Sequence, residues 1–422
     1  MSEKILDFHI HSKYSRACSP KLELPSIADF CEIKGVDIVS VSDFTHPAWL
    51  KHIKENLEEI GSTGLFKLKN KESKTRFILS TEISCIYRHR DKTRRLHLMI
   101  FAPNISAVEK FNSELEKRGA KLGSDGRPIM GISAKEVLKI VIEMGPRMMM
   151  VPAHAWTPWF AIFGSKSGYN SLEECFEELT PHIKAIETGL SSDPIMNRRL
   201  TQLDKIVLIS NSDAHSLDHI GREANVFAFS SEEAVTYDEI IDIIRTGNRK
   251  KFLYTIEFYP EEGIYHADGH RDCKFVCLPK ETKKHKGICP VCKKPLTIGV
   301  LYRVDELADR SEDKILASKF IPYKYIIPLR EIIGEVLEVG SKSKTVDREY
   351  QNLIKNLGSE FNILLYCQVD DIKKFVSNKN IAVAISNMRV GQVKVVPGYD
   401  GLYGKVQALF GDGFKPSQSR LL

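Results

Sequence analysis

The chain has 422 residues, 42% hydrophobic and 27% charged, which is ordinary for a soluble globular protein of two or three domains. Its apolar runs are too short to span a bilayer and no secretion signal opens the sequence, so we predict a cytoplasmic protein without membrane segments, whose nine cysteines are reduced thiols or metal ligands. The net charge of +6 is modest, but basic residues come in clusters, typical of solvated loops or of a phosphate-binding surface.

Short strands alternate with amphipathic helices over most of the first half of the chain. The predicted strands cover residues 4–11, 36–44, 77–84, 96–103, 147–155, 183–191 and 206–215. The predicted helices cover residues 24–35, 133–145, 171–179, 197–205 and 236–247. Seven repeats of this kind predict an α/β fold with a parallel sheet, closed as a barrel.

Imidazoles and carboxylates lie at or near the ends of these strands, where barrel enzymes place their chemistry. The first strand ends in His9 and His11, and because alternate residues of an extended segment point to one side, both rings can bind one metal. The other strands carry Asp43, Glu82, His97, His154, Glu187, Asp213 and His215. Each has an ordinary alternative as a cap, a turn former or a core residue. So many such groups at one rim nevertheless predict a site with several metals.

Two closely spaced cysteine pairs follow the barrel, Cys273 with Cys277 and Cys289 with Cys292. The pattern predicts a structural zinc held by four thiolates. His270 lies nearby but is not needed once four sulfurs are present. We therefore predict three domains: a barrel over residues 1–255, a zinc module over 256–310 and a mixed, largely helical region over 311–422.

The motifs HIHSKYS, SDF, TEIS, PAHA and NSDAH resemble the PHP superfamily of phosphoesterases, which fold as a distorted (β/α)7 barrel with two or three metals. By this resemblance the metal ligands are His9, His11, Glu82, His97, His154, Asp213 and His215. The chain has Arg16 and Phe44 where the family usually has ligands. Asp43 or His46 then substitutes in the second motif, and Arg16 binds a phosphate.

With the cysteine module and the segments LYRVDELADR, IPLREII and VVPGYDGLYG, the chain resembles the archaeal endonuclease Q family over essentially its whole length. The resemblance implies a DNA-repair endonuclease. Such an enzyme hydrolyses the phosphodiester 5′ to a deaminated base (uracil, hypoxanthine or xanthine) or an abasic site, leaving a 3′-hydroxyl and a 5′-phosphate. We expect damaged DNA as the partner, a monomeric protein, and zinc as the catalytic metal, with magnesium or manganese as alternatives.

Further residues are candidates for handling the substrate. Asp193 completes a metal site or positions the attacking water, or it is the N-cap of a helix that begins at Pro194. Candidates for reading an extruded base are Tyr14, Trp156, Trp159, Tyr169 and Asn170, although loop aromatics are more often local packing. Candidates for gripping phosphates are Arg88, Arg90, Arg94 and Arg95 of a basic hairpin.

Two other functions fit the barrel. A small-molecule phosphomonoesterase resembling histidinol phosphatase would leave the zinc module and the basic loops without a purpose. A non-catalytic DNA-binding protein is suggested by Arg16 and Phe44. Near the end of the sequence, Gln418 and Leu421 have the spacing that opens a sliding-clamp-binding peptide, but the aromatic pair that completes such a peptide is missing.

Overall fold

The computed structural model describes residues 2–410. The chain forms two compact units, the first made of the residues up to Glu32, Val36–Thr255 and Arg303–Tyr323, and the second made of the remainder. The predicted clamp-binding residues Gln418 and Leu421 lie outside the described part. Between residues 2 and 410, no helix is both long and apolar enough to cross a membrane.

Strands and helices alternate through much of the chain. The strands are β1 Ser2–Asp7, β2 Ile38–Ser40, β3 Leu57–Glu59, β4 Leu65–Leu68, β5 Arg76–Ile78, β6 Ser80–His89, β7 Lys92–Phe101, β8 Ile129–Met130, β9 Met149–Pro152, β10 Ala185–Glu187, β11 Val207–Ile209, β12 Ala224–Phe229, β13 Phe252–Glu257, β14 Asp268–His270, β15 Phe275–Cys277, β16 Tyr323–Tyr325, β17 Val393–Val396 and β18 Lys405–Ala408. The helices are α1 Leu24–Lys34, α2 Pro47–Asn56, α3 Ile105–Lys117, α4 Ala134–Glu143, α5 Leu172–Phe176, α6 Pro194–Arg198, α7 Tyr237–Thr246, α8 Pro279–Lys284, α9 Val300–Leu307, α10 Leu329–Val336, α11 Lys344–Leu357, α12 Val369–Phe375 and α13 Asn380–Arg389.

Strand β1 lies between two neighbours in a mixed sheet of the first unit. It pairs in parallel with β2 and antiparallel with β12, and β2 pairs in parallel with β5. A second sheet has the order β8-β6-β7-β9, and β10 pairs in parallel with β11. The predicted α/β class is confirmed, although the strand pairing is mixed where the sequence predicted parallel pairing throughout.

The β6–β7 hairpin accounts for part of this difference. Its two strands of 10 residues each are joined by Arg90 and Asp91, which have φ values of 49° and 58°. Two successive left-handed residues are typical of a tight hairpin turn, so the strands pair antiparallel without a crossover helix. The predicted ligands Glu82 and His97 lie on the two strands of this hairpin, and His97 is opposite Ser84.

The strands of the first unit surround one hydrophobic core, in which Leu6, Ile38, Met99, Ile209 and Phe227 are buried together. Their branched and aromatic side chains suit a pleated surface that packs on both faces. Hydrogen bonds then join the loops at the strand ends: the loop after β1 bonds to the loop after β11, and the loop after β9 bonds to the end of β10. The strand ends that carry the predicted ligands therefore meet.

The second unit is smaller. The β14–β15 hairpin leads into α8 and a cysteine-containing turn, and helices α10 to α13 pack with one another and with the β17–β18 hairpin. Ile333, Leu353, Ile372 and Ile385 from these four helices are fully buried. The mixed, largely helical architecture that the sequence predicted for the C-terminal part is present.

Glu262 in the second unit predicts a pH-dependent loss of stability. Burial, with help from the carboxylates of Glu331 and Glu335, raises the pKa of Glu262 to about 8 from an ordinary 4.5. Its Oε1 is buried without a hydrogen-bond partner among the described residues. The folded state therefore holds a proton that the unfolded state releases near pH 4.5, so stability falls as the pH rises from 4.5 to 8 and the loss is complete above 8.

Near pH 8.5, we expect the free energy of unfolding of the variant Glu262→Gln to be about 1–2 kcal/mol higher than that of the wild type. Near pH 4.5, we expect the two values to be equal. Denaturant unfolding at both pH values measures this difference. The exposed Glu338→Gln serves as the matched control and is expected to change neither value. A gain of equal size at both pH values would contradict the assignment.

Candidate metal centre

The loop after β1 places two imidazoles in a fixed orientation. His9 and His11 are both buried, and the Nδ1 of His9 lies 3.0 Å from the Oε1 of Glu187. The Nε2 of His9 is buried with no hydrogen-bond partner in the described chain, 3.6 Å from the Oε1 of Glu82 and 3.7 Å from the Oδ1 of Asp213. An unpartnered imidazole nitrogen facing two carboxylates is the arrangement that a metal ion satisfies.

Seven side chains form three overlapping groups, in each of which the ligand atoms lie within 4.8 Å of one another. The groups are His9 with His11 and Glu82, Glu82 with His97 and His154, and His11 with Asp213 and His215. Together they contain all seven ligands that the PHP resemblance carried to this chain. Because Glu82 and His11 each belong to two groups, the arrangement fits more than one metal in adjacent positions.

Glu82 is the centre of these groups. Its Oε1 lies 2.8 Å from the Nδ1 of His97 and 3.0 Å from the Nε2 of His154, and its Oε2 lies 3.5 Å from the Nε2 of His11. Burial opposes ionisation, but the interactions with His97 and Arg127 hold the pKa of Glu82 well below its usual range. The carboxylate is therefore ionised and ready to bind a cation.

Asp43, predicted as a ligand, lies behind His11 and outside the three groups. It is fully buried, and its Oδ1 lies 3.3 Å from the Nδ1 of His11, the nitrogen that faces away from Asp213. Its Oδ2 accepts hydrogen bonds from the backbone of Ser12 and the hydroxyl of Ser15. Asp43 thus orients an imidazole, the role that outer carboxylates commonly have in metal sites.

Glu187 does the same for His9 and also accepts a hydrogen bond of 2.7 Å from the backbone N–H of His154. Asp7, at the end of β1, accepts hydrogen bonds from Ser212 and from the backbone N–H of Gly221, which fixes the loop that carries Asp213. The sequence placed Glu187 at a strand end, but only its distance from His9 identifies it as a support for a ligand.

Two arginines, Arg16 and Arg127, have different surroundings. Arg16, predicted to bind a phosphate, is exposed, and its side chain makes no hydrogen bond or ion pair with the described residues. Arg127, to which no motif pointed, donates from Nη1 to the Oε2 of Glu82 at 2.9 Å. Arg127 lies in a loop between predicted elements, so nothing in its local sequence could reveal this contact.

Asp193 has the alternative role that the sequence left open. It is the N-cap of α6, and its Oδ1 accepts a hydrogen bond of 2.7 Å from the backbone N–H of Met196. Pro194 follows at the first helical position, where a missing N–H costs nothing. Asp193 does not belong to any of the groups of candidate ligands among residues 2–410.

The structure separates the predicted base-reading residues into packed and exposed ones. Trp156 and Tyr169 are buried, with Trp156 donating to Asn197 and Tyr169 bonded to Tyr87. Asn170 accepts a hydrogen bond from Arg303. Trp156 and Tyr169 are therefore engaged in packing, whereas Asn170 is exposed and its side-chain oxygen is occupied by Arg303.

Two aromatic side chains stay open beside the groups of ligands. Trp159 is 48% exposed, with the guanidinium of Arg95 5.1 Å from its ring, and the next residue, Phe160, packs on the ring of His97. Tyr14 is 36% exposed and stacks on His46 at 4.4 Å. Each is a flat surface within a few residues of a candidate ligand.

The arginines of the basic hairpin also differ in their burial. Arg94 is buried, donates to the backbone of Gly168 and lies 4.0 Å from the ring of Tyr169. Arg88 and Arg90 at the tip are exposed, and Arg95 is half-buried. Arg94 therefore holds the hairpin in place, while the tip remains open to a ligand.

The cysteine module forms a fourth group, whose members differ from the predicted set. The ligand atoms of His270, Cys273, Cys289 and Cys292 lie within 4.8 Å of one another. Cys277 is buried beside this group, but its Sγ lies 3.2 Å from the hydroxyl of Thr282 and is not part of it. Backbone N–H groups of the turn, first that of Cys292, lower the pKa of the Cys289 thiol although burial opposes them. One imidazole and three sulfurs suit tetrahedral zinc.

Parts of the chain are similar in sequence to a known family model and to a known protein. The family model of the MJ0043 C-terminal domain matches residues 328–392. The Methanocaldococcus jannaschii protein MJ0043 is 30% identical over 268 residues, which are 63% of this chain and 32% of that protein. The chain thus spans about a third of the length of this relative.

Two solved structures match nearly the whole chain. The lesion-specific endonuclease PfuEndoQ from Pyrococcus furiosus has a TM-score of 0.85 and 29% identity, covering 96% of this chain and 95% of that one. Endonuclease Q in complex with a 27-mer duplex that carries an abasic lesion at the active site has a TM-score of 0.82 and 29% identity, covering 97% of each chain.

The fold and the groups of donors define a PHP-type α/β protein with a metal-binding module. More narrowly, the chain is endonuclease Q-like, as its motifs predicted.

Proposed function

We propose that this protein is a metal-dependent DNA-repair endonuclease that hydrolyses the phosphodiester 5′ to a deaminated base or an abasic site and leaves a 3′-hydroxyl and a 5′-phosphate. The observation that carries the proposal is the set of three overlapping groups of donors, two of which contain Glu82. The likeness over nearly the whole chain to a lesion-specific endonuclease, and to endonuclease Q bound to abasic DNA, supports DNA as the substrate.

The seven side chains of the three groups would hold two or three divalent metals, with zinc favoured by the imidazoles and magnesium or manganese as alternatives. Such metals lower the pKa of bound water and neutralise charge on the phosphate. The chain's own part is orientation: Glu187 holds the ring of His9 and Asp43 holds the ring of His11, so that each Nε2 faces the centre.

The exposed side chains near the site suit a damaged duplex. Arg88 and Arg90 at the hairpin tip are placed to contact phosphates, which gives affinity without sequence preference. Trp159 and Tyr14 offer faces on which an unpaired base can stack. An abasic site or a mispaired uracil costs less to unstack than a paired base, which favours damaged over intact DNA.

The test is a labelled duplex with one uracil or one abasic site, incubated with and without chelator, with the cut mapped to the nucleotide. We expect one metal-dependent nick directly 5′ to the lesion. Release of phosphate from a small phosphomonoester without nicking would favour the phosphomonoesterase. Zinc in the cysteine module with little other metal, and binding without nicking, would favour a non-catalytic DNA-binding protein.

Asp193 offers a further test of which residues act in this reaction. We expect Asp193→Asn to keep full nicking activity and stability, because Asn caps a helix as well as Asp does. Asp193→Ala is expected to lose about 1 kcal/mol of stability while still nicking. Thermal unfolding and nicking rates check both variants. An Asn variant that is fully stable yet nicks tenfold more slowly would instead give Asp193 a part in the chemistry.

A further inference from the structure

Arg127 is held in place by the strand that carries the central ligand. It lies two residues before the start of β8, and β8 pairs in parallel with β6, Ile129 lying opposite Ser84. The backbone N–H of Ser84 donates to the carbonyl of Pro128 at 3.0 Å. Because Glu82 is on the same strand as Ser84, the backbone of Arg127 has a fixed distance from the ligand.

The other side of the loop is pressed against the segment after His11. The backbone N–H of Gly126 donates to the carbonyl of Tyr14 at 2.9 Å. A Cβ atom on Gly126 would lie 2.4 Å from both the Oδ2 of Asp43 and the Oγ of Ser15. Only glycine allows this close approach, so the loop packs tightly against the residues that support His11.

The guanidinium of Arg127 has hydrogen-bond donors that are not used within the described part of the chain. Nη1 donates to the Oε2 of Glu82, whereas Nε and Nη2 have no hydrogen-bond partner in the described part of the chain. The Arg127 side chain is 22% exposed, so these donors are not sealed in the core. A guanidinium presents five N–H donors in a planar fork that matches two oxygens of a phosphate.

The negative charge of Glu82 does not by itself require an arginine beside it. The carboxylate already lies within 3.0 Å of two imidazole nitrogens and belongs to two groups of candidate metal ligands. A permanent cation beside such a centre repels other cations, so it weakens metal binding unless an anion joins it. A phosphodiester that enters the centre is such an anion.

We propose that Arg127 is a substrate-binding residue, whose guanidinium donates hydrogen bonds to a non-bridging oxygen of the phosphodiester that is cut. This inference rests on the proposed function and deepens it. A simpler role is the alternative: Arg127 holds Glu82 in position and does not touch the substrate. The two roles differ in what happens to bound metal and to phosphate affinity when the arginine is removed.

The experiment compares the wild type with Arg127→Met and Arg127→Lys, with the exposed Lys121→Met as the control. We expect the Met variant to lose about 100- to 1,000-fold in kcat/KM for nicking, as for the loss of one preorganised donor. The Lys variant is expected to recover part of this loss. Metal content is expected to stay at the wild-type level, and the slope of log affinity for DNA against log salt is expected to fall by about one.

Binding of inorganic phosphate to the metal-loaded proteins, measured by calorimetry, separates this inference from the proposed function. We expect phosphate to bind the Met variant at least tenfold more weakly than the wild type, whether or not the wild type nicks DNA. Loss of metal in proportion to activity, or equal phosphate affinity in both proteins, would overturn the inference. A wild type that does not nick damaged DNA, but whose phosphate binding needs Arg127, would refute only the proposed function.

Discussion

Replacing Glu82 by Gln is expected to reduce the nicking rate about 1,000-fold and to lower the metal content of the protein. The carboxylate belongs to two of the three groups of donors, so its loss weakens both at once. A bound metal supplies several kcal/mol of charge stabilisation, and each 1.4 kcal/mol or so is a factor of ten in rate. Single-turnover nicking and elemental analysis of the purified protein measure the two effects.

The matched control is Glu143→Gln, an exposed residue at the end of α4, which is expected to behave as the wild type. Glu187→Gln gives an intermediate case. Its side chain orients His9 without joining a group, and loss of such an outer partner typically weakens metal binding about 10- to 100-fold. A Glu82→Gln variant with full metal content and full activity would refute the proposed centre.

Replacing Cys289 by Ser is expected to remove one zinc and to destabilise the second unit by several kcal/mol, because the binding energy of a structural zinc is folding energy. The sulfur belongs to the group of His270, Cys273 and Cys292. Zinc content per chain, together with denaturant unfolding, measures the effect. Nicking is expected to fall only as far as the unfolded fraction rises.

A pair of variants decides which four side chains bind this zinc. His270→Ala is expected to lose the zinc, and Cys277→Ala is expected to keep it, because the Cys277 sulfur faces the Thr282 hydroxyl. The reverse result would restore the four-thiolate set that the cysteine spacing predicted. Cys277→Ala removes only one sulfur atom from the small buried cluster that also contains Cys289 and Leu296, so we expect a mild effect on stability.

The sequence predicted the candidate centre better than it predicted the contacts around it. His9, His11 and Asp213 follow strands whose apolar residues are continuous in sequence, so a local pattern was enough to place them near one rim. The alternation of strand and helix likewise predicted the α/β class. It did not predict the antiparallel β1–β12 pair, because strand direction depends on how a distant segment returns to the sheet.

Contacts between distant residues account for what was not predicted. Asp43 and Glu187 look alike at strand ends, and only their distances from the Nδ1 atoms of His11 and His9 give them their roles. His270, rather than Cys277, lies close to the sulfurs of Cys273, Cys289 and Cys292, and this proximity across the β14–β15 hairpin could not be deduced from cysteine spacing. Trp156 lies in a loop rich in aromatics, but its partner Asn197 is too far along the chain for sequence patterns to reveal burial.

Under the proposed function, the β6–β7 hairpin would also set a length for the substrate. Glu82 and Arg88 lie on the same strand, six residues apart, and at about 3.4 Å per residue the hairpin tip reaches roughly 20 Å from the centre. Successive phosphates of one DNA strand advance about 3.4 Å along the axis, so this reach spans about six base pairs. Under the proposed function, the hairpin tip would not reach an oligonucleotide with fewer than about six base pairs on that side of the lesion. Replacing Arg88 or Arg90 would then not change the cleavage rate of that oligonucleotide.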